Sequence, residues 1–209
     1  MYSIERQIVG PLEENCWFIT NPATNHCVVI DPGDEAGLLI EALGARVLDG
    51  VLLTHGHFDH VGAAEELADY GSALVYLHKD ETELLAWAPE NARQYAIEID
   101  VPTPDLTFAD NEELQVGEFR FTALHTPGHT PGSSCFLLLD PQTGTRHLFS
   151  GDTLFRYDIG RTDFPESVPE LMAGSLMRLG RLERSTMVYP GHGPLTTIGD
   201  ELDHPGMVK

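Results

Sequence analysis

The sequence predicts an α/β fold in which two β-sheets pack face to face, with helices on their outer sides. Three observations predict it. Short apolar segments of strand length recur in both halves of the chain, helical stretches follow strands in each half, and turns rich in Gly and Pro separate the segments. The chain has 209 residues, of which 42% are hydrophobic. This size and composition suit one globular domain, which we expect to span residues 1–209.

The first half of the chain carries most of the strand signals. Strands are predicted over residues 3–9, 16–20, 27–31, 47–54 and 73–78. A helix is expected over residues 34–43, where Asp34 is placed to act as its N-cap, and a second helix over residues 61–70.

The centre of the chain, residues 79–110, is less regular and carries at most two short helical stretches. It could form a lobe over a pocket or a solvated connector. Strand signals return afterwards, and one more amphipathic helix is predicted. The predicted strands cover residues 118–125, 133–140, 146–150 and 186–189, and the helix covers residues 168–182.

The net charge excludes two classes of partner. With 12 basic and 33 acidic residues, the formal charge is −21, whereas nucleic acids and anionic membranes bind basic surfaces. We therefore expect neither partner. The start of the sequence lacks a signal-peptide pattern, which predicts a cytoplasmic protein. Three cysteines without C-x-x-C spacing are expected to be buried free thiols: Cys16, Cys27 and Cys135.

The strongest chemical signal is the segment His55-Gly56-His57-Phe58-Asp59-His60, called the HxHxDH segment below, which directly follows a predicted strand. His55 and His57 are two residues apart in extended chain, so their side chains project to the same side and can share one metal ion. Asp59 and His60 come one turn later, where they can face a second ion.

Each ion needs further ligands from distant parts of the chain. Three more candidates lie in turns with neighbouring Gly or Pro, each after a predicted strand: His129, Asp152 and His192. Taken alone, each could be a structural turn residue. Four other histidines are predicted at the surface or at sheet edges: His26, His78, His147 and His204.

Together these residues resemble the full ligand set of the metallo-β-lactamase superfamily, and the early Asp31-Pro32-Gly33 turn is similar to one in that family. Residues 126–133 and 150–155 resemble the glyoxalase II (hydroxyacylglutathione hydrolase) branch, in its short single-domain form. The resemblance implies a four-layer αββα sandwich with two divalent ions at the sheet edges. It implies metal 1 on His55, His57 and His129, metal 2 on Asp59, His60 and His192, and Asp152 as a bridge between them. Zinc is the expected ion, although His and carboxylate ligands also accept iron or manganese.

The implied activity is hydrolysis of a small-molecule thioester, an S-hydroxyacyl glutathione or a similar thiol conjugate. Metal-bound water has a pKa of about 7, so a bridging hydroxide can attack the acyl carbonyl at neutral pH. Asp152 would hold both ions, and Asp59 would help to orient the nucleophile. A thiolate leaving group needs little protonation, which agrees with the lack of an obvious general acid.

Substrate recognition is less well specified. Arg161 corresponds to a basic residue that contacts glutathione in long glyoxalase II enzymes, and an Arg there could bind a carboxylate. It could equally form a salt bridge with Asp163 or Asp158 that fixes its loop. Only 17 residues follow His192, so we expect the C-terminal domain of the long enzymes to be missing, which leaves the identity of the thiol open.

Other functions are compatible with parts of the pattern. A mononuclear iron persulfide dioxygenase shares the fold and the Gly-Arg-Thr-Asp-Phe segment at residues 160–164, but its iron needs only two His and one Asp. The additional ligands Asp59, His60 and His192 favour the hydrolase. The charge disfavours a nuclease, the glyoxalase-like loops disfavour a β-lactamase, and a metal-binding module without activity would leave a complete open site unexplained.

Overall fold

Two six-stranded sheets face each other in the computed structural model, which describes residues 1–204. Helices pack on the outer side of each sheet, so the predicted four-layer sandwich is confirmed. The predicted domain extends to residue 209, and its last residues, 205–209, lie outside the described part. Within that part, no helix is both long and apolar enough to cross a membrane.

The first sheet has the strand order β1-β2-β3-β4-β5-β6. Its first three strands pair antiparallel and the rest are parallel. The strands are β1 (Ser3–Val9), β2 (Glu14–Asn21), β3 (His26–Ile30), β4 (Val47–Leu52), β5 (Leu74–His78) and β6 (Leu106–Phe108). Four helices accompany them: α1 (Ala36–Leu43), α2 (Phe58–Val61), α3 (Ala64–Gly71) and α4 (Thr82–Arg93).

The second sheet has the order β14-β13-β10-β9-β8-β7. Its strands are β7 (Glu113–Val116), β8 (Phe119–His125), β9 (Ser134–Leu139), β10 (Arg146–Gly151), β13 (Met187–Pro190) and β14 (Thr196–Thr197). The short strands β11 (Leu154–Phe155) and β12 (Asp158–Ile159) form a separate hairpin, and two helices follow: α5 (Pro169–Leu179) and α6 (Ile198–Asp203).

The core lies in three layers, one between each pair of neighbouring structural layers. The central layer, between the sheets, is aromatic and includes Phe119, Phe121, Phe136 and Phe149. Every second residue of a strand contributes its side chain to this central layer, because successive side chains of a strand point to opposite faces. The other faces of the two sheets pack against the helices. Central strands such as β3 and β10 are therefore buried on both faces, whereas the edge strands β1 and β7 are partly exposed. The three cysteines are free and buried, as predicted.

Several local predictions were wrong. The N-cap of α1 is Glu35 in a left-handed conformation, with φ 55°, whereas the carboxylate of Asp34 accepts a hydrogen bond from the Glu35 amide at 2.6 Å. The helix predicted over residues 61–70 is two helices, because the chain leaves helical geometry at Ala63, whose amide donates to the Pro32 carbonyl at 3.0 Å.

The centre of the chain is more ordered than predicted. Instead of two short stretches, α4 runs for 12 residues with Pro89 inside it. Two histidines predicted at the surface or at edges are buried: His78 and His147 are 1% and 9% exposed. The short strands β6, β7, β11, β12 and β14 were not predicted.

Candidate metal centre

The predicted ligands meet at one end of the sandwich, where several strands finish. The HxHxDH segment follows β4 and enters α2, and His129 lies in the loop between β8 and β9. Asp152 follows β10 directly, and His192 lies just beyond β13, which pairs parallel with β10. Neighbouring parallel strands end at the same edge of a sheet, and this topology brings distant residues together.

The first ligand group consists of His55, His57 and His129. Nδ1 of His57 lies 3.1 Å from Nε2 of His55 and 2.9 Å from Nε2 of His129. A tetrahedral ion with metal–nitrogen bonds of about 2.0–2.1 Å needs ligand atoms about 3.3 Å apart. The spacing of the three nitrogens is close to that value.

The second ligand group consists of Asp59, His60 and His192. Oδ2 of Asp59 lies 3.4 Å from Nε2 of His192 and 3.8 Å from Nε2 of His60. All three ligand atoms lie within 4.8 Å of one another. The group is therefore compact enough for one ion.

Asp152 stands between the two groups. Its Oδ1 lies 3.4 Å from Nε2 of His60, and its Oδ2 lies 3.5 Å from Nε2 of His129. Gly191 makes this approach possible, because a Cβ atom there would lie only 2.4 Å from Oδ1 of Asp152. One carboxylate therefore faces both groups.

The outer nitrogens of the histidines show which ring nitrogen is free. Nδ1 of His129 lies 2.7 Å from the Arg161 carbonyl, and Nδ1 of His192 lies 3.1 Å from the Leu12 carbonyl. A carbonyl oxygen only accepts, so each Nδ1 carries a proton that it donates, and each Nε2 keeps its lone pair. That lone pair faces the centre.

The other three histidines follow the same pattern. Nε2 of His57 donates to Glu166 at 3.1 Å, and Nδ1 of His60 donates to Asp31 at 3.0 Å. Nδ1 of His55 lies 3.0 Å from the Thr54 hydroxyl, which itself donates to Oδ2 of Asp31 at 2.6 Å and so must accept from His55. Such outer partners fix the ring orientation in metal sites.

This arrangement fits a cation better than it fits an empty cluster. The lone pairs of the first group face one another and repel unless a positive charge lies between them. Nε2 of His60 and Oδ1 of Asp152 are buried and have no hydrogen-bond partner within residues 1–204, although buried polar atoms normally have one. Bound divalent metal would supply the missing partner, and the His/Asp cluster of this fold binds such ions.

The protonation of three ligands, His55, His129 and Asp152, points the same way. Burial, reinforced by the neighbouring imidazoles, lowers the pKa of His55 far below its usual value. Burial also lowers the pKa of His129 to about 4. Burial would raise the pKa of Asp152, but the nearby histidines outweigh it and hold that pKa below its usual range. Neutral imidazoles and an ionised carboxylate are the forms that bind metal. At His60 and His192 burial lowers the pKa, but the carboxylates of Asp59 and Asp152 outweigh it and raise the pKa, so metal binding there displaces protons.

Sequence reasoning missed a buried acidic residue behind His60. Glu14, at the start of β2, is 1% exposed, and Oε1 lies 3.8 Å from Nδ1 of His60. Neither carboxylate oxygen has a hydrogen-bond partner in the described part of the chain. Burial raises the pKa of Glu14 well above its usual value, against a smaller lowering effect of His60. The partners Thr54 and Glu166 were also missed, and Asp31 was noted only as part of a turn.

A second group of metal-binding residue types does not form a comparable centre. His78, Asp80 and His125 lie close together, but the two imidazole rings are stacked at 4.2 Å and 12°. The lone pairs of an imidazole lie in the ring plane, so nearly parallel rings do not direct theirs to one point. Nε2 of His125 is also used, since it donates to the Pro131 carbonyl at 2.8 Å.

A pocket of about 530 Å³ opens over the centre. The residues at its floor and rim come from the predicted site, from the β1–β2 turn, from α4 and from the loop before α5. They include His57, Asp59, His129, Asp152, His192, Leu12, Phe58, Asn91, Gln94, Tyr95, Phe155, Arg161, Phe164, Pro165 and Glu166. The segment 79–110 thus contributes one wall of the pocket.

Arg161 lies at the rim of the pocket in the salt bridge that was expected as the alternative to substrate binding. Its Nε and Nη2 each donate to a carboxylate oxygen of Asp163 at 2.9 Å. The guanidinium also lies 4.3 Å from the centre of the Phe164 ring. Of the two predicted partners, Asp163 rather than Asp158 forms the bridge.

Comparison with known proteins adds sequence and structural relatives. Residues 9–192 match the family described as the metallo-beta-lactamase superfamily. A protein of Haemophilus influenzae named hydroxyacylglutathione hydrolase GloC is 37% identical over 205 residues, which cover 95% of this chain and 94% of that protein.

Three solved structures share the fold across almost the whole chain. The B3 metallo-beta-lactamase BLEG-1 has a TM-score of 0.88 and 36% identity, covering 99% of this chain and 100% of its own. TTHA1623 in a di-iron-bound form has a TM-score of 0.84 and 37% identity, and the match covers 96% of this chain and 98% of that chain. ETHE1 from Myxococcus xanthus has a TM-score of 0.79 and 27% identity, and the match covers 97% of this chain and 82% of that chain.

Proposed function

The chain belongs to the metallo-beta-lactamase superfamily, as its motifs indicate, and we propose that it is a thioester hydrolase whose site holds two divalent metal ions. One observation carries the proposal: the Asp152 carboxylate lies within 3.5 Å of histidine nitrogens from both ligand groups. A single carboxylate that faces two compact ligand groups can bridge the two closely spaced ions of a dinuclear site.

The proposed ligands follow from the two groups. His55, His57 and His129 would hold the first ion through Nε2, Nδ1 and Nε2. Asp59, His60 and His192 would hold the second, and Asp152 would contact both. We propose zinc, and iron or manganese also suits these nitrogen and oxygen donors. The di-iron form of TTHA1623 supports two ions in a relative of this fold.

The residues of the site would divide the work of hydrolysis. When bound, divalent ions act as Lewis acids and lower the pKa of water to about 7. Asp59 and Asp152 both line the pocket, so their carboxylates can accept hydrogen bonds from water and orient it toward a substrate carbonyl. Phe155, Phe164 and Pro165 would exclude bulk water from the acyl group.

The residues of the pocket suit a substrate whose leaving group departs without a proton. Glu166 is the nearest candidate for a general acid, but its hydrogen bond with His57 lowers its pKa, so it is ionised at neutral pH. A thiol has a pKa of about 8.5 and leaves as thiolate without a proton donor. The name of the Haemophilus influenzae relative supports an S-hydroxyacyl glutathione or a similar small thioester as substrate.

Arg161 stays a predicted substrate contact. Nε and Nη2 are taken by Asp163, so Nη1 is the part of the guanidinium left to meet a substrate carboxylate. We propose this contact as secondary to the metal site.

The alternative is a mononuclear iron persulfide dioxygenase. Residues 160–164 favour it, and the likeness to ETHE1 leaves it open. The second ligand group argues for the hydrolase, because a mononuclear enzyme has no use for it.

Metal analysis combined with two assays tests the proposal. Protein purified without chelator should contain two ions per chain and should cleave S-D-lactoylglutathione. Chelator should abolish cleavage, and added zinc should restore it. A single iron per chain, with oxygen uptake on glutathione persulfide and no thioester cleavage, would overturn the proposal.

A further inference from the structure

The wall of the pocket formed by α4 carries two carboxamide side chains. Asn91 and Gln94 both line the pocket, and they are three residues apart at the C-terminal end of α4. Side chains at this spacing lie on the same face of a helix, about 5–6 Å apart at their Cβ atoms. Their polar groups therefore form one short stripe on this wall of the pocket.

This stripe is held in place by packing under the helix. Leu85, Ala88 and Ala92 are buried on the inner face of α4. Just beyond the helix, the ring of Tyr95 packs against Phe58 with 5.1 Å between ring centres, and Phe58 directly follows a predicted metal ligand. The carboxamides are thus attached to a wall that is tied to the site itself.

The same two side chains are free to bind. Within residues 1–204, neither the Asn91 nor the Gln94 carboxamide makes a hydrogen bond to another residue. A carboxamide offers both an acceptor and donors, so each can accept a hydrogen bond from an amide N–H of a ligand or donate one to an amide carbonyl.

The charges around the pocket are unsuited to anionic ends of a substrate. Among the described residues that line it, Arg161 is the one Arg or Lys side chain, and Asp163 already pairs with it through two hydrogen bonds. The acidic residue Glu166 also lines the pocket. Away from the metal centre, no unpaired basic side chain of the lining faces the space that a thiol portion would occupy.

We infer that the thiol portion of the substrate is recognised chiefly through its amide groups by Asn91 and Gln94, and that the proposed contact of a substrate carboxylate with Arg161 contributes less than either carboxamide. The substrate class is a thioester of an amide-bearing thiol, whether or not that thiol is charged. This inference rests on the proposed thioester hydrolysis and adds to it the part of the substrate that is recognised.

A matched pair of substrates separates amide from charge recognition. S-D-lactoylglutathione and its diester, in which both carboxylates are esterified, have the same amides and differ in charge. We expect the metal-loaded protein to cleave both with KM values within about threefold, and with KM little changed between about 0.05 and 0.5 M salt, because screening weakens only charge pairs.

Two variants test the carboxamides, and a third is their control. Asn91→Leu and Gln94→Leu should each raise KM about fivefold for both substrates, since one lost hydrogen bond is worth about 1 kcal/mol, while kcat stays near wild type. Glu83→Leu makes a similar change at an exposed position of α4 outside the pocket lining, and should change neither constant.

Three results would overturn the inference while leaving the hydrolase intact. These are a diester KM more than about tenfold above that of the acid, an Arg161→Gln variant that raises KM for the acid more than either Leu variant does, or Leu variants with wild-type KM. Cleavage of neither thioester by protein with both ions bound would overturn the proposed function, and this inference with it.

Discussion

The Glu81 carboxylate accepts a hydrogen bond from the backbone amide of Gly56, with 2.8 Å between Oε2 and the nitrogen. Its other oxygen, Oε1, accepts the amide of Gly132 at 2.5 Å. Gly56 separates the first two histidines of the HxHxDH segment, and Gly132 lies in the loop that carries His129. Glu81 is fully buried, so one carboxylate ties together the two loops that supply the first ligand group.

Removing this carboxylate should destabilise both loops. Glu81→Ala leaves two buried amides without acceptors, at about 1–3 kcal/mol each, so we expect the free energy of unfolding to fall by about 2–6 kcal/mol. The free energy of unfolding of Glu81→Gln should lie between those of wild type and Glu81→Ala, because a carboxamide presents one oxygen and one NH₂ where two acceptors are needed. Denaturant unfolding of chelator-treated protein measures this, and metal titration should show weaker binding in both variants.

Glu83 provides the control for Glu81. It is exposed on the first turn of α4, and Glu83→Ala should change stability by less than about 0.5 kcal/mol. If Glu81→Ala unfolded at the same denaturant concentration as this control, the two amides would have found other acceptors and the role of Glu81 would be wrong.

The Thr54 hydroxyl should set the tautomer of His55. It donates to Asp31 and accepts from Nδ1 of His55, which leaves Nε2 free to bind metal. Thr54→Val keeps the shape but removes this acceptor, and loss of such a partner typically weakens metal binding about 10- to 100-fold. Thr54→Ser keeps the hydroxyl and should bind nearly as wild type. Competition with a chromophoric chelator measures both, and equal affinities for Val and Ser would contradict the role.

Asp152 should be needed by both ions. Its two oxygens face different ligand groups, with Oδ1 towards His60 and Oδ2 towards His129. Asp152→Ala should therefore lower the metal content at both positions, which elemental analysis of the purified variant measures. Asp158→Ala, at an exposed position in β12, should keep the wild-type content. Loss of one ion with full retention of the other would contradict a shared carboxylate.

The part of the site that is contiguous in sequence could be predicted from the sequence. His55, His57, Asp59 and His60 lie within six residues after a recognisable strand, and their spacing alone indicates shared ligation. His129, Asp152 and His192 needed the position of turns after strands and a family resemblance, because nothing local distinguishes them from structural turn residues. The structure brings all of these residues to the same end of the sandwich.

The supporting residues could not be predicted, because they act across space. Asp31 and Thr54 are neighbours only because β3 pairs in parallel with β4 and both strands end together. Glu81 reaches its partners through the bend after β5. The α4 helix was predicted only as two short stretches, because Pro89 and the small buried residues Ala88 and Ala92 give a weak apolar stripe. Parallel pairing and packing of small residues leave little local signal.

His78 was expected at a surface or an edge, and its burial leads to a pH-dependent stability. Nδ1 of His78 accepts the Asp80 amide at 3.2 Å and caps the short 3₁₀ turn that precedes α4. Burial, with a smaller effect of the stacked His125, lowers the pKa of His78 to about 4. In the unfolded chain a histidine has a pKa of about 6.5.

The sign of the effect follows from these two values. Between pH 6.5 and about 4 the unfolded chain binds a proton at His78 that the folded protein does not, so stability falls as the pH falls through this window. In His78→Asn the amide oxygen can keep the cap, and the side chain does not titrate. We expect the variant to lose about 2 kcal/mol less stability than wild type between about pH 7 and 4.5. Urea unfolding of both chelator-treated proteins across this range measures the difference. The metal ligands are the same in both proteins, so the effect of their titration on stability cancels from this difference. If the stabilities of the two proteins changed in parallel with pH, the pKa of His78 would not be lowered in the folded protein.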